Sequence, residues 1–377
     1  MSVEIRKVTT KAELKRFIRF NYEFYKDNPY SVPDLYDDML RTFSPGKNAA
    51  LEFCEADYFL AYREGKIVGR VAAIINRNAN ERWGKKTVRF GWIDFIDDDE
   101  VSRALIDTVK AWGRERGMTD IEGPLGFTDM DAEGMLVEGF DQLSTMSTIY
   151  NYPYYPLHME RLGLEKGADW VEMKIYVPDE IPEKHLRISK IIAEKYKLHV
   201  RKISRREVYH TSVVHDIFKL INDAYEPLFN FSRMTDAQID QYVRTYAPVL
   251  DLRMVSIVEN EQNEIVAVGI SMASLSRALQ KARGRLWPFG WFHLLKALLW
   301  KRPKVLDLLL VGVRPDYQGK GVNALLFTDL IPVYKKLGFE YAESNPELEL
   351  NDKVQNQWQY FKTECHKRRR CYKGHID

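Results

Sequence analysis

The predicted order of helices and strands runs through this chain twice, and that repetition constrains its fold more than any single motif. In the first half, an amphipathic helix at Thr10–Tyr25 precedes a hairpin, a strand at Val88–Ile96 and a helix that begins with the acidic run Asp97–Asp99. The second half repeats this order, with a helix at Val213–Tyr225, a hairpin and a strand at Val305–Val313. The sequence therefore predicts two similar units of about 190 residues each.

These units predict two domains, residues 1–178 and residues 185–377, joined by a short linker. Because strands and helices occur in both, we expect an α/β protein with a mixed sheet of the α+β kind. Residues 274–304 have no counterpart in the first half and are predicted to form a Trp-rich helical insertion. Three interpretations remain open: the insertion packs on its own domain or covers a pocket, lies on a membrane surface, or walls a site for a long apolar substrate.

The composition excludes several classes of protein. A net charge of +2 gives no global field that would attract nucleic acid, and three scattered cysteines and eight scattered histidines predict neither a disulfide framework nor a metal site. The most apolar window, Leu286–Trp300, is too short to span a bilayer, and Met1–Thr10 lacks the apolar core of a signal peptide. We therefore expect a cytoplasmic protein without a transmembrane segment; its oligomeric state stays open.

One segment of the second half, "VLDLLLVGVRPDYQGKGVN" (Val305–Asn323), predicts a strand, a bend and the start of a helix. Gly319 and Gly321 allow the backbone to approach a bulky group closely, and Lys320 adds a positive charge. The N–H groups that open the helix suit a phosphate or pyrophosphate. The glycine spacing fits neither a P-loop nor a dinucleotide fingerprint, so phosphate binding and a plain strand-to-helix turn both remain possible.

The segment Gln318-Gly319-Lys320-Gly321-Val322-Asn323 resembles motif A of the GNAT superfamily of N-acetyltransferases, Gln/Arg-x-x-Gly-x-Gly/Ala. In the first half, "REGKIVGRVAAI" (Arg63–Ile74) resembles the second and third strands of that superfamily. Further stretches, among them "YYPLHMERLGLEKGADW", are similar to bacterial tandem-GNAT proteins of unassigned substrate. The resemblance covers nearly the whole chain and implies two GNAT-like domains in tandem, each with a twisted, mostly antiparallel sheet flanked by helices.

The resemblance implies that acetyl-CoA or a longer acyl-CoA binds at the bend. The motif strand would separate from its neighbour, and Val311 and Val313 would offer N–H groups to the pantetheine arm and the thioester oxygen. The residues that would surround the pyrophosphate are Gln318, Gly319, Lys320, Gly321, Val322 and Asn323. Asn323 departs from the pattern, which has glycine or alanine there. Asn351 is a further candidate for the cofactor, with a helix cap as the alternative.

The same resemblance suggests catalytic residues for direct attack of an amine on a thioester. Asp307, eleven residues before Gln318, is the first candidate base, and Glu343 on the next strand is the second. Tyr360, on a helix predicted at Gln355–Cys365, is the candidate acid for the departing thiolate. The alternatives are a solvated strand-end carboxylate for Asp307 and core packing for Tyr360; Glu347 and Glu349 are interpreted as loop or rim charges.

The first half lacks this site, because the run Asp97–Asp99 stands where a pyrophosphate would sit and has no glycine. We interpret that half as a non-catalytic copy that could wall the acceptor pocket. Glu122 and the tyrosines of "YNYPYYP" (Tyr150–Pro156) could line the pocket, although packing is the favoured interpretation for such a cluster. The segment "HKRRRC" (His366–Cys371) is interpreted as a solvated basic strand, with contact to the CoA 3′-phosphate or RNA as the alternative.

The sequence thus favours an N-acyltransferase that moves an acetyl or longer acyl group from acyl-CoA to a small-molecule amine, without a metal. Two alternatives are a non-catalytic sensor of acyl-CoA or another metabolite, and an acyltransferase that takes its acyl group from an acyl carrier protein.

Overall fold

In a computed structural model, which describes residues 2–376, one mixed sheet runs through the protein and helices flank it. The strands are β1 Glu4–Lys7, β2 Cys54–Arg63, β3 Lys66–Asn76, β4 Thr87–Phe95, β5 Asp120–Gly123, β6 Met135–Glu138, β7 Glu165–Tyr176, β8 His199–Arg201, β9 Val255–Glu259, β10 Ile265–Ala273, β11 Val305–Val313, β12 Tyr341–Glu343, β13 Glu347–Leu348 and β14 Thr363–His375. The helices are α1 Lys11–Phe24, α2 Tyr36–Thr42, α3 Arg77–Trp83, α4 Asp99–Arg114, α5 Tyr154–Arg161, α6 Glu183–Tyr196, α7 Arg205–His210, α8 Val213–Tyr225, α9 Asp236–Tyr246, α10 Ser276–Ala282, α11 Gly290–Leu295, α12 Asn323–Lys336 and α13 Asp352–Gln355.

The strand order confirms the mixed α/β class with two copies of one arrangement. The main path is β1-β2-β3-β4-β5-β14-β7-β12-β11-β10-β9-β8, with β6 paired to β14 and β13 paired to β7. The β4–β5 and β11–β12 pairs are parallel, and the other pairs are antiparallel. Read inward from either edge, each half therefore contributes a similar run of strands that ends with a short parallel pair.

The two halves exchange strands at the centre of the sheet. Strand β7, at the end of the first half, pairs with β12 of the second, whereas β14 at the chain's end pairs with β5 and β6 of the first. Strands β7 and β14 also pair with each other along most of their length. The ranges 1–178 and 185–377 remain a prediction about how the chain divides into domains, because the sheet itself is continuous across them.

Local sequence explains where several helices begin. Thr10 caps α1 by accepting a hydrogen bond from the Glu13 backbone N–H, while the Glu13 side chain accepts from the Thr10 backbone N–H. This reciprocal pair satisfies two N–H groups that have no partner within the helix. The helix predicted at Gln355–Cys365 is wrong: α13 is followed by a short 3-10 turn at Asn356–Trp358, and the strand β14 begins at Thr363.

The predicted solvated basic strand at the chain's end is also wrong in part. The side chains of Lys367 and Arg369 on β14 are fully buried, and both contact the buried carboxylate of Glu172 on β7. Lys367 Nζ lies 2.7 Å from a Glu172 oxygen and 3.0 Å from a Glu343 oxygen. Every second residue of a strand faces the same side of the sheet, so a run of cations need not be solvated along its whole length.

Candidate active site

The strand β11 is paired along one edge and largely unpaired along the other. Its residues Leu306–Val313 pair with β10, but only Val305–Asp307 pair with β12. Beyond Asp307 the two parallel strands separate, so the split begins at Leu308. The predicted separation of the motif strand from its neighbour is therefore present, and Val311 and Val313 both lie on its unpaired stretch.

One side chain bridges the split, and sequence reasoning missed it. Asn345, two residues after β12, donates from Nδ2 to the Leu309 carbonyl oxygen and accepts from the Ser147 hydroxyl at 3.2 Å. Asn345 thus replaces one hydrogen bond that a continuous ladder would have made. Nothing in the spacing of "AESNPE" points to this role, because it depends on where β12 ends.

The bend after β11 has the backbone that its glycines require. Gly319 and Gly321 have φ angles of +73° and +83°, in the left-handed region that residues with a Cβ rarely adopt. A Cβ at Gly319 would meet nothing within 4 Å, so the turn itself, not crowding, accounts for that glycine. The Gln318 side chain closes the bend by donating to the Val313 carbonyl oxygen at 3.1 Å.

The bend opens helix α12 at the protein's surface. The first N–H groups of a helix have no partner within it, and their positive end suits an anion. Lys320 is exposed and its Nζ lies 5.0 Å from the Tyr317 ring centroid, beside this helix start, whereas Val322 is buried beneath it. The bend therefore places the positive end of a helix and one exposed cation side by side.

The two asparagines that were candidates for the cofactor are engaged elsewhere. Asn323 donates from Nδ2 to the Gln357 Oε1 at 3.0 Å, which ties the start of α12 to the segment before β14. Asn351 caps α13 by accepting from the Val354 N–H at 3.4 Å, as the alternative interpretation had it. Both residues border the same cavity, so contact with a cofactor stays a prediction.

A cavity of about 2370 Å³ joins the bend, the split and the insertion. Its wall includes every residue of the motif bend from Gln318 to Asn323 except Lys320, the split strand from Leu308 to Val313, and residues of the first half such as Asp131 and Met146. The insertion contributes Leu294 and Leu298. Ligand pockets are commonly about 300–1,000 Å³, so this cavity is larger than an acetyl donor and a small amine need.

The insertion at 274–304 forms helices α10 and α11 followed by a short π-helical stretch, Lys296–Trp300. Leu275 and Leu279 are buried and form one apolar cluster with Leu309 of the split strand. Helix α10 is also held by the first half, because Gln280 Nε2 donates to the Ser31 carbonyl oxygen at 2.8 Å. The insertion therefore packs on the chain and borders the cavity, while a wall for a long apolar substrate and a membrane contact stay predictions.

Asp307 is a buried acid beside the split. It is 1 % exposed, and neither carboxylate oxygen makes a well-aligned hydrogen bond within the described chain. Burial, with a smaller effect of the neighbouring Glu343 charge, raises the pKa of Asp307 to about 7. Asp307 does not itself border the cavity, whose wall begins with the next residue, Leu308.

Glu343 lies opposite Asp307 in the β11–β12 pair, but its pKa is shifted in the opposite direction. Burial alone would raise its pKa; the neighbouring His366 and Lys367 outweigh that effect and lower it. His366 Nε2 lies 3.1 Å from a Glu343 oxygen. A carboxylate held ionised by cations is a weak proton acceptor, and neither Glu343 nor Asp307 borders the cavity.

A second acid with a raised pKa, Glu347, was interpreted as a loop or rim charge, and that interpretation is wrong. Glu347 lies on β13, borders the cavity and accepts a hydrogen bond from the Trp358 indole N–H at 2.9 Å. Burial raises the pKa of Glu347 to about 7. The sequence held no signal for this, because the short pairing of β13 with β7 turns the side chain inward.

Tyr360 lies in the turn before β14, not on a helix, and borders the cavity. The Lys184 ammonium donates to the Tyr360 oxygen and stacks 4.0 Å from the ring centroid. Because the phenol oxygen accepts this bond, its own proton stays available to a ligand. Tyr360 is 39 % exposed, which does not fit the alternative of core packing.

The first half borders the cavity through its own acids. Burial raises the pKa of Asp129 and of Asp131 to about 6 each, and each accepts a backbone N–H, from Ser232 and Thr128 respectively. The predicted tyrosine cluster is packing: Tyr155 is fully buried in the first-half core and its ring stacks on Phe95. Neither those tyrosines nor Glu122 borders the cavity.

No helix between residues 2 and 376 is both long and apolar enough to cross a membrane. Over the same residues, no group of three or more histidine, cysteine, aspartate and glutamate side chains is arranged to hold a metal ion.

The fold and the split strand β11 together define a protein with two copies of a GNAT-like fold in tandem. A solved tandem GNAT protein from the clavulanic acid biosynthesis pathway superposes with a TM-score of 0.57 at 12% identity, over 100% of this chain and 99% of the other. This likeness shows the fold of the whole chain.

Among curated proteins, "Protein YghO" of Escherichia coli K12 is 28% identical over 99% of this chain and 95% of its own length. "Bacterial ceramide synthase" of Caulobacter vibrioides is 28% identical over 82% of this chain and 80% of its own length. No protein-family profile matches the chain.

Proposed function

We propose that this chain is an N-acyltransferase that moves a long acyl group from a CoA thioester to the amino group of a long-chain amine. A ceramide is the N-acyl product of such an amine, and a relative at 28% identity bears the name bacterial ceramide synthase. The observation that carries the proposal is the cavity of about 2370 Å³, which joins the motif bend to a leucine-rich wall. Such a wall suits two long alkyl chains better than a short donor.

Donor binding is assigned to the bend and the split. The N–H groups from Gly319 to Asn323 receive the pyrophosphate, and Lys320 adds a positive charge. The backbone of Val311 and Val313 faces the pantetheine arm and directs one N–H at the thioester oxygen, where negative charge develops during attack. The bound thioester supplies the activated acyl group. Because acyl-CoA is an intracellular donor, the proposal keeps the cytoplasmic location expected from the sequence.

Proton transfer is assigned to acids whose pKa lies near neutrality. The attacking nitrogen must lose a proton, and a base works best when its pKa is close to the working pH. Glu347 borders the cavity and takes that role directly, while Asp307, one residue behind the wall, acts through an intervening water. Tyr360 gives its hydroxyl proton to the sulfur as the C–S bond breaks and the N–C bond forms.

The first experiment supplies the purified protein with acetyl-CoA or palmitoyl-CoA and with sphinganine as a long-chain amine. We expect release of free thiol and an N-acyl product by mass spectrometry, with palmitoyl-CoA at least about tenfold better than acetyl-CoA, because the longer chain buries more apolar surface. Binding without thiol release would overturn the assignment in favour of a sensor. If thiol is released only when the acyl group is supplied on an acyl carrier protein, that carrier protein, and not CoA, is the donor.

A variant tests whether the cavity sets the chain length. Leu298→Trp fills part of the leucine wall and should lower turnover of palmitoyl-CoA about tenfold while sparing shorter donors. The control is Leu157→Trp, an exposed position on α5 remote from the cavity wall. Equal chain-length profiles for both variants would remove the cavity from the proposal.

A further inference from the structure

The insertion presents an apolar face to solvent as well as to the cavity. Seven of the fifteen exposed large hydrophobic side chains in the described chain fall between residues 287 and 300. The four most exposed of these seven are Trp287, Phe289, Leu299 and Trp300, at 77, 75, 64 and 68 %. We call these four the aromatic rim; none of them borders the cavity. Apolar groups concentrated in this way mark a contact surface, whereas single exposed ones do not.

The rim and the cavity are two sides of one short segment. Leu286 and Leu298 border the cavity, while their chain neighbours Trp287 and Leu299 point to solvent. Phe292 connects the two ends of the segment, since its ring centroid lies 6.1 Å from that of Trp300. An apolar path of only a few residues therefore separates the outer surface from the cavity interior.

The charge of the insertion differs from that of the rest of the protein. Residues 274–304 contain eight lysines and arginines and no aspartate or glutamate. Since the whole chain has a net charge of +2, the remainder is net negative. Lys281, Arg283, Lys296 and Lys301 are exposed, and the structure shows no ion pair for any of these four within residues 2–376. Exposed cations around aromatic side chains complement an anionic lipid surface.

We propose that the aromatic rim and its surrounding lysines and arginines dock the protein on an anionic lipid bilayer, where a long-chain substrate can pass directly into the cavity. Docking is argued from the rim and its charge; the passage of substrate rests on the proposed function. Tryptophan and phenylalanine rings sit at the level of lipid headgroups, and each nearby cation adds attraction to anionic lipid. A second copy of this chain is a poor occupant, since two strongly positive faces would repel each other.

The test is co-sedimentation of the full chain with vesicles of phosphatidylglycerol mixed with phosphatidylcholine, and with vesicles of phosphatidylcholine alone. We expect binding to the anionic vesicles that weakens as salt rises, and little binding to the neutral ones. The triple variant Trp287→Ala, Phe289→Ala and Trp300→Ala should lose at least about tenfold in vesicle affinity. The control replaces three exposed apolar residues elsewhere, Leu157→Ala, Ile191→Ala and Tyr209→Ala, and should bind like the unaltered protein.

A second variant separates charge from the aromatic side chains. Lys281→Glu, Arg283→Glu and Lys301→Glu should lower affinity for anionic vesicles at least about tenfold with the fold intact by circular dichroism. Equal binding of both triple variants and the control would overturn the proposal. So would an unaltered protein that ignores vesicles but binds an acyl carrier protein, or one that dimerises through the rim in sedimentation analysis.

Docking and turnover can fail separately. Turnover is measured with palmitoyl-CoA and the long-chain amine dispersed in detergent, so that no bilayer is needed. If the unaltered protein binds anionic vesicles but shows no turnover in detergent, docking stands and the proposed function falls. If it turns over in detergent and does not bind vesicles, the docking proposal falls alone.

Discussion

The two halves of the sheet contain the same short parallel pair, but only one pair opens into a cavity. In the first half, β4 and β5 pair over Thr87–Arg89, and in the second, β11 and β12 pair over Val305–Asp307. Past its pair, the first half stays closed, because the Leu125 N–H donates to the Phe90 carbonyl oxygen at 2.9 Å. The second half is bridged there by a side chain, that of Asn345. The two halves thus share a fold but differ in whether the chain past the parallel pair stays joined.

The helices that follow β4 and β11, α4 and α12, also differ between the two halves. In the first half, the Asp98 carboxylate caps α4 by accepting the N–H groups of Glu100 and Val101, and Arg63 holds that carboxylate at 2.6 Å. In the second half, two glycines turn the backbone and no such acid stands at the start of α12. The first half supplies its own anion to the start of this helix, whereas the second half has no acid in the first turn of α12.

A third difference lies within the parallel strand pairs β4–β5 and β11–β12. The third residue of the strand is Arg89 in the first half and Asp307 in the second, facing Glu122 and Glu343 respectively. The Arg89 guanidinium donates to the Gly126 carbonyl oxygen at 3.2 Å and cannot accept a proton at neutral pH. Only the second half therefore has an acid there with a pKa of about 7.

The largest expected effect tests whether the bend holds the donor. Gly319→Glu should weaken acyl-CoA binding at least about 100-fold in calorimetric titration, because a carboxylate at the start of α12 repels the pyrophosphate. The control is Gly65→Glu in the β2–β3 turn. Gly65 has nearly the same φ angle as Gly319, +74°, and a Cβ at Gly65 would also meet nothing within 4 Å. Both variants should lose about 1–2 kcal/mol of stability, so a loss of binding in both would locate the effect in folding.

The second prediction concerns Asp307 and Glu347, the two acids of the second half whose pKa is raised to about 7. Turnover should rise with pH through about 7 and then level off, because a base must be ionised to accept a proton. Glu347→Gln should lower kcat about 100-fold with donor binding unchanged. An unchanged kcat in Glu347→Gln together with a loss in Asp307→Asn would move the role to Asp307.

The variant Asp307→Asn also allows a test by thermal unfolding at different pH values. The folded pKa of Asp307 lies above its ordinary value, so ionising it destabilises the fold, and that cost is complete above about pH 7. The asparagine variant should therefore unfold at a higher temperature than the unaltered protein at alkaline pH, and the difference should shrink on acidification. A variant that is less stable at every pH would contradict this electrostatic account.

Much of the fold could be predicted because its signals are local. Helix α8 and strand β11 begin and end where periodicity placed them, and motif A lies on the expected bend. The inward side chain of Glu347 could not be predicted, since it depends on pairing with β7, more than 170 residues away in the chain. The burial of Lys367 likewise depends on Glu172, which the exchange of β7 and β14 places beside it. Long-range pairing, not local propensity, decides both.

The smallest effect is expected from removing the Asp98 carboxylate, which caps helix α4 in the first half. Asp98→Ala should cost about 1 kcal/mol of stability, since it deletes a helix cap and a partly exposed ion pair with Arg63. The hydrogen bond from Arg63 lowers the pKa of Asp98 below 3.8, so its contribution is complete above that pH and is lost as the pH falls through the folded pKa. Denaturant unfolding at neutral and acidic pH measures both. Acyl-CoA affinity should not change, because the first-half split stays closed by Leu125; a second acyl-CoA bound by Asp98→Ala would mean that the cap alone separates the two halves.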